Sequence, residues 1–364
     1  AVRARLEARV AELLSEYRAP GAVVAVVRDQ RLAWWRGYGR LDLASDAIPD
    51  ADTLFRLQSI TKPFTGLAIM QLRDAGLLDL DDPLVRHLPE FAAVQMRHGA
   101  ADDVTLRLLL CHHSGLLSEQ TKIPQTPSRA QLLASLGHLE VGSRPGTEFK
   151  YSNVGFALLG EVIARRGGRP YRDYVRDEVL EPLGMASSGF EVTPTHRANL
   201  ATGYEALPNQ DGLAAVPSPP MDGLAAAGDL HASARDLARM VALQFRLDAP
   251  IRAGAQVLRG ASLAEMHRPQ FLDAEWRTGY GLALFALRRG DHVYLGHTGS
   301  GAGYRVATFF SVPIRSGVIA LTTQSTTDMR HLAMDVLDII WDAGVDAVSD
   351  PSSPPASSAP GRGP

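Results

Sequence analysis

Hydrophobic positions recur with two different periods along this chain. From Val2 to Tyr17, Leu6, Val10, Leu13 and Leu14 fall on one helical face, and Pro20-Gly21 ends the run. Ala22 to Val27 is a short valine-rich stretch and Arg31 to Tyr38 a second. Arg28-Asp29-Gln30 is a tight connection between them, so a β-hairpin is predicted. Gly37 to Asp52 is rich in small and turn-forming residues and reads as loop. A helix is expected from about Ser59 to Ala75, stopped by Gly76.

The middle of the chain keeps the helical period. Asp79 to His98 reads as short helix and loop, and Gly115 to Ser128 as loop. Helices are predicted over Val104 to Cys111, Arg129 to Leu139, Val154 to Arg166 and Tyr171 to Leu180. Ala201 to Gly228 is irregular, and Ser233 to Phe245 is helical with Ser233 as a cap. The last third changes character. Gly281 to Leu287, His292 to Leu295, Val306 to Ser311 and Val318 to Thr323 have strand character, and Met329 to Trp341 reads as a closing helix. Asp350 to Pro364 is Pro, Ser and Ala with almost no bulky residue.

Strands at both ends and helices between them predict an α/β (α+β) fold. One antiparallel sheet is flanked by the N- and C-terminal helices, and a mostly helical lobe packs beside it. The corresponding division is 1–58 with 246–345 for the sheet lobe, 59–245 for the helical lobe, and 346–364 as a disordered tail or linker stub. A site is expected in the cleft between the lobes.

Composition narrows the function classes. The 364 residues are 45% hydrophobic and 21% charged, the balance of a globular protein. A net charge of -3 gives no general attraction to nucleic acid or to an acidic membrane. No apolar run reaches the length of a membrane span. Cys111 is the single cysteine, which excludes an intramolecular disulfide and a multi-cysteine zinc site. That cysteine count and the lack of a signal-peptide pattern lean toward a cytoplasmic location, while the start at Ala1 leaves a removed leader open.

The chemistry begins at Ser59-Ile60-Thr61-Lys62. Serine and lysine three apart on a helix share a face, and a neutral amine there can take the hydroxyl proton. Pro63 is tolerated only near a helix start, which puts Ser59 at the N-terminus, where the dipole favours developing negative charge. Alone, the pair is more often an ordinary helix start. Two further units follow in order: Lys150-Tyr151-Ser152-Asn153, and Gly296-His297-Thr298-Gly299-Ser300.

Ser-x-x-Lys, Tyr-x-Asn and His-Thr-Gly together resemble the penicillin-recognising serine enzymes. These are the class C β-lactamases, DD-peptidases, D-amino-acid amidases and related esterases. Asp52-Thr53-Leu54-Phe55-Arg56, Leu109-Leu110-Cys111-His112-His113-Ser114-Gly115-Leu116, Pro182-Leu183-Gly184-Met185 and Gly279-Tyr280-Gly281-Leu282 are similar to segments of that superfamily too. The likeness runs from about Pro20 to Trp341. It implies a β-lactamase/transpeptidase-like fold, no cofactor and no metal. It implies Ser59 as nucleophile, Lys62 as its proton acceptor, Tyr151 as relay and Asn153 as orienting residue. The backbone N–H groups of Ser59 and Ser300 are implied as the oxyanion hole, with Thr298 and Gly299 lining the substrate site.

Two residues depart from the pattern. His297 replaces the lysine that helps hold a substrate carboxylate, which disfavours efficient β-lactamase activity. Asp229 stands in Ala227-Gly228-Asp229-Leu230, where a second glycine is common, and is expected to meet a cationic amine of the substrate or, equally, to serve as a cap. Cys111, His112 and His113 are read as packing residues, since adjacent side chains on a helix diverge. The implied activity is a serine hydrolase or acyltransferase on amide or ester bonds of D-residue peptides or small acyl compounds. The alternatives are a short-ester carboxylesterase, a penicillin-binding-protein-type thioesterase that acts on nonribosomal peptides, and a catalytically idle sensor. The partner is a small-molecule or peptide substrate, and a C-terminally linked domain fits the terminal linker composition.

Overall fold

The computed structural model describes residues 2–117, 124, 126–207, 212–248 and 256–344. The proposed tail and part of the loop up to Ser128 lie outside these residues. Helix α1 (Val2–Glu16) leads into the hairpin of β1 (Gly21–Arg28) and β2 (Arg31–Gly39). Asp29, with φ of 50°, makes its tight turn. After a short strand, Leu54–Arg56, a single 3-10 turn at Gln58–Ile60 runs into α2 (Thr61–Asp74). Among the later helices are α3 (Asn153–Gly167), α4 (Ala234–Leu243) and α5 (Gly260–His267). Six strands follow: β3 (Phe271–Leu272), β4 (Thr278–Tyr280), β5 (Phe285–Arg289), β6 (His292–Gly301), β7 (Tyr304–Ser311) and β8 (Ser316–Thr322). Helix α6 (Met329–Ala343) comes last.

One antiparallel sheet has the order β2-β1-β8-β7-β6-β5-β4-β3. The first and last strands of the sequence meet inside it: Ala22 pairs with Thr322 and Arg28 with Ser316. β1 is apolar from Ala22 to Val27 because both of its faces are covered. Ala22, Val24 and Val26 pack with Leu6, Val10, Leu332 and Leu337 of α1 and α6, whereas Val23, Ala25 and Val27 join the larger core on the opposite face. The antiparallel sheet flanked by terminal helices is thus the fold the sequence predicted.

Helix α2 is central to that larger core. Eleven of its residues, from Thr61 to Leu72, are buried, so it lacks the polar stripe of a surface helix. Gly66 lets it pack tightly, since a Cβ there would lie 2.9 Å from the Ala283 Cβ. Several predicted helices prove shorter. Arg129–Ala134 passes into a 3-10 turn, and Tyr171–Val175 passes into a π-turn over Arg176–Leu180. The predicted strand Gly281 to Leu287 is displaced toward β5, and α5 and β4 were not anticipated.

Candidate functional site

Ser59 sits in the 3-10 turn just before α2, and Lys62 is the second residue of the helix. Gln58 has φ of 49°, an uncommon conformation for a residue with a Cβ, and it turns the chain so that Ser59 meets the sheet. Pro63 occupies the first turn, where its missing N–H leaves no carbonyl unsatisfied.

Lys62 is fully buried. Its Nζ lies 3.0 Å from Ser59 Oγ, 2.8 Å from Asn153 Oδ1 and 2.8 Å from the Ala227 carbonyl oxygen. Among the described residues no carboxylate touches it, and burial pushes its pKa well below the ordinary lysine value. The three contacts have a direct chemical meaning. Asn153 Oδ1 and the Ala227 oxygen can only accept, so a neutral amine gives them its two hydrogens and turns its lone pair to the Ser59 hydroxyl. A protonated amine donates to all three. The same positions serve both states, and the serine proton can move with little rearrangement.

Tyr151 and Asn153 flank Ser152, the N-cap of α3, whose Oγ accepts the Gly155 N–H at 3.1 Å. The cap fixes both neighbours at the helix start. Burial pushes the Tyr151 pKa up, against a lowering contribution from the Ser59 side chain. His112 supports Tyr151 from behind. Its carbonyl accepts the Lys150 N–H at 2.7 Å, its Nδ1 accepts the Ser152 N–H at 3.1 Å, and its ring lies 4.2 Å from the tyrosine ring. His112 and its neighbours Cys111 and His113 are buried, with the His113 ring stacked on Phe271.

Strand β6 forms the opposite wall. Gly299 lets it approach: a Cβ there would lie 2.1 Å from the Leu57 carbonyl oxygen and 3.0 Å from the Gln58 Cβ. β5 pairs only as far as Gly296, so residues 297–301 have an edge beyond its end. The Thr298 carbonyl accepts from His297 Nδ1 at 2.6 Å. Residues two apart on a strand share an edge, so the Ser300 N–H points to the same side as that carbonyl. His297 is buried, and its Nε2 lies 2.9 Å from the Tyr280 hydroxyl. Burial, then the nearby Lys62, pushes its pKa down to about 3.

The structure therefore brings Ser59, Lys62, Tyr151 and Asn153 into one cluster, with His297, Thr298, Gly299 and Ser300 on the strand beside it. Asp229 stands differently from the expected partner of a substrate amine. Its Oδ2 accepts from Arg172 at 2.8 Å, its Oδ1 accepts the Met221 N–H at 3.0 Å, and Arg56 lies 3.6 Å away. Both carboxylate oxygens are engaged within the chain, and burial raises the pKa against these favourable contacts. An open cavity of about 460 Å³ lies elsewhere, behind the Ala225–Gly228 turn, and none of Ser59, Lys62 or Tyr151 lines it. Sequence reasoning missed Tyr280, His112 as a support of Tyr151, and the Ala227 carbonyl. The first two lay in the matched segments Gly279–Leu282 and Leu109–Leu116, and a backbone carbonyl carries no sequence signal.

Comparison with known proteins identifies the family. The beta-lactamase family model matches residues 6–339. The D-alanyl-D-alanine-carboxypeptidase/endopeptidase AmpH of Escherichia coli is 26% identical over 88% of this chain and 83% of its own length. Protein flp of Staphylococcus aureus is 32% identical over 51% of this chain, a match that spans only 38% of flp. The octameric penicillin-binding protein homologue from Pyrococcus abyssi superposes with a TM-score of 0.80 at 25% identity, covering 93% of this chain and 77% of that one. A class C β-lactamase gives a TM-score of 0.78 at 22% identity, covering 93% and 96%, which is a likeness of fold. With nearly its whole described length matched, the chain belongs to the beta-lactamase family, within the serine β-lactamase and penicillin-binding protein superfamily.

Proposed function

We propose that the protein is a serine hydrolase that cleaves amide or ester bonds through an acyl-enzyme on Ser59. The observation that carries this reading is the buried Lys62 amine, 3.0 Å from Ser59 Oγ, with two acceptor-only oxygens as its other partners. Ser59 Oγ attacks the carbonyl carbon as its proton passes to Lys62 Nζ. The resulting oxyanion is held by the backbone N–H groups of Ser59 and Ser300. Collapse breaks the bond to the leaving amine or alcohol, which takes a proton relayed by Tyr151. Water, or an acceptor amine or alcohol, then attacks the ester and frees Ser59. Thr298 and Gly299 line the path of the substrate along β6.

Family membership and the likeness to AmpH support peptide amides as one substrate class. The engagement of both Asp229 carboxylate oxygens within the chain weighs against an amine-recognising peptide cyclase. The test is covalent labelling. A fluorophosphonate should add one adduct per chain at Ser59, read by mass spectrometry of peptides, and Ser59→Ala should abolish it. Wild-type protein that resists both the fluorophosphonate and short activated esters would be the idle binding member of the fold.

A further inference from the structure

The cavity of about 460 Å³ behind the Ala225–Gly228 turn combines apolar walls with a charged rim. Leu132, Ala157, Ala164 and Ala226 supply apolar wall, whereas the rim has four arginines and two acids, Glu161 and Asp222. Three of the arginines are well matched. Arg129 and Arg165 both donate to Glu161, Arg165 donates also to Glu90, and Arg169 donates to Asp177 and Glu178. Arg172 is different. Among the described residues its one hydrogen-bond partner is Asp229, reached through Nη2 at 2.8 Å. A part-exposed guanidinium with donors to spare, beside apolar walls, suits an anion carried on an apolar body.

The same cavity wall holds the turn that serves Lys62. Ala226 lines the cavity, and its carbonyl accepts from Thr65 Oγ1 at 2.7 Å. The Thr65 hydrogen is thereby engaged, so the Tyr171 hydroxyl, 2.9 Å away, donates to Thr65. Tyr171 and Arg172 both line the cavity. The next carbonyl along, that of Ala227, accepts from Lys62 Nζ at 2.8 Å. Asp229 follows the turn directly and is tied by Arg172. Helix α3 packs hard against the turn as well, since a Cβ on Gly160 would lie 2.6 Å from the Ala226 Cβ. Two sequence neighbours thus anchor the turn at two points, Tyr171 through Thr65 and Arg172 through Asp229.

We propose that this cavity is a second binding site, for a small anion with an apolar body, and that its occupant slows acylation of Ser59 by drawing Arg172 from Asp229. The turn then loses one of its two anchors, and the Ala227 carbonyl no longer holds the Lys62 amine in place beside Ser59 Oγ. An occupant shifts the turn only by as much as it prefers the loosened form, so the inhibition is partial. The coupling rests on the acyl-enzyme reading above; the binding site does not.

Anilinonaphthalene sulfonate is the probe, and phenylnaphthylamine, the same rings without the sulfonate, is its control. Fluorescence titration should show the sulfonate bound one to one, about tenfold or more tighter than the control, the worth of one charge-assisted contact. Protein already phosphonylated on Ser59 should still bind it. Saturating sulfonate should slow phosphonylation of Ser59 severalfold to a plateau, whereas competition in the cleft would drive the rate toward zero. Ala164→Phe, which fills the cavity, should abolish both binding and inhibition, and Ala164→Leu is the milder filling if the phenyl unfolds the chain. Arg172→Gln should reproduce the slowed phosphonylation and leave the sulfonate without further effect. Binding that is equal in the filled variant, or lost on phosphonylation, overturns the second site. Binding with no change in the rate overturns the coupling and keeps the site. A chain that no fluorophosphonate labels fails the acyl-enzyme reading and the coupling together, while the titration still decides the site.

Discussion

The His112 imidazole lies 4.2 Å from the Tyr151 ring, and its backbone carbonyl and Nδ1 hold the N–H groups of the residues on either side of that tyrosine. His112 thus positions the tyrosine without touching Ser59. His112→Ala should lower kcat by about tenfold to a hundredfold with KM little changed, because the relay loses its placement and not its substrate contacts. A steady-state comparison of the two constants checks this. An effect confined to thermal stability would make His112 a packing residue only.

The proposed mechanism assigns the acid side of the activity profile to Lys62. Its pKa is lowered by burial, and with the neutral amine as proton acceptor in the proposed mechanism, activity should rise with pH through a limb well below 10.5, the ordinary lysine value. Below that limb the ammonium cannot take the serine proton. Lys62→Met should cost about a thousandfold in kcat/KM. The pH profile on an uncharged ester is the measurement, and a limb at the ordinary lysine position would contradict the buried neutral amine.

Asp229 predicts a structural phenotype. Asp229→Ala leaves the buried Arg56 without its acidic neighbour and frees the Met221 N–H, a loss of about 3–5 kcal/mol. Calorimetry should show a lowered Tm, and kcat/KM should fall by one common factor for amine-bearing and amine-free substrates. A loss confined to amine-bearing substrates would restore the role first read from the sequence.

Gly299→Ala should be among the most damaging small changes. The added methyl meets the Leu57 carbonyl oxygen at 2.1 Å, so β6 and the Ser59 turn must separate. Overpacking of this kind costs about 1–3 kcal/mol, and the acylation rate should fall further than stability does. Stopped-flow acylation alongside denaturant melts distinguishes the two losses.

Acid should weaken the fold through its buried imidazoles. His231 and His267 are pushed down to about 3 and about 4, chiefly by burial. The unfolded chain takes up protons below the ordinary value of 6.5 and the folded chain does not, so stability is lost as pH falls from that value toward the folded values. A tenfold difference in proton affinity between the two states corresponds to about 1.4 kcal/mol at full effect. Both nitrogens of His231 are buried without hydrogen-bond partners among the described residues, so His231→Phe should flatten the acid side of a Tm-against-pH curve.

How far the sequence could be read follows from where each signal lives. Ser59 and Lys62 were legible because one helical turn brings them together, and Pro63 fixed which end of the helix they occupy. β1 was legible because burial on both faces makes its residues uniformly apolar. The Tyr280–His297 bond joins two strands with another between them, and nothing local announces it. The engagement of Asp229 by Arg172 likewise depends on how the chain returns on itself. The segment Tyr171 to Leu180 kept a helical pattern, yet it is α-helical only to Val175 before the backbone widens into a π-turn. Apolar periodicity cannot tell those geometries apart.

The place of β1 between β2 and β8 has a consequence for the newborn chain. Its inner edge must wait for Ser316–Thr322, a delay of about 15 to 60 seconds at ordinary rates of synthesis. Through that interval Gly21–Arg28, valine-rich and almost free of charge, presents an open strand edge to its surroundings. The sheet cannot close before that strand is made, and substitutions in the hairpin that change the exposed edge should be felt as a change in yield.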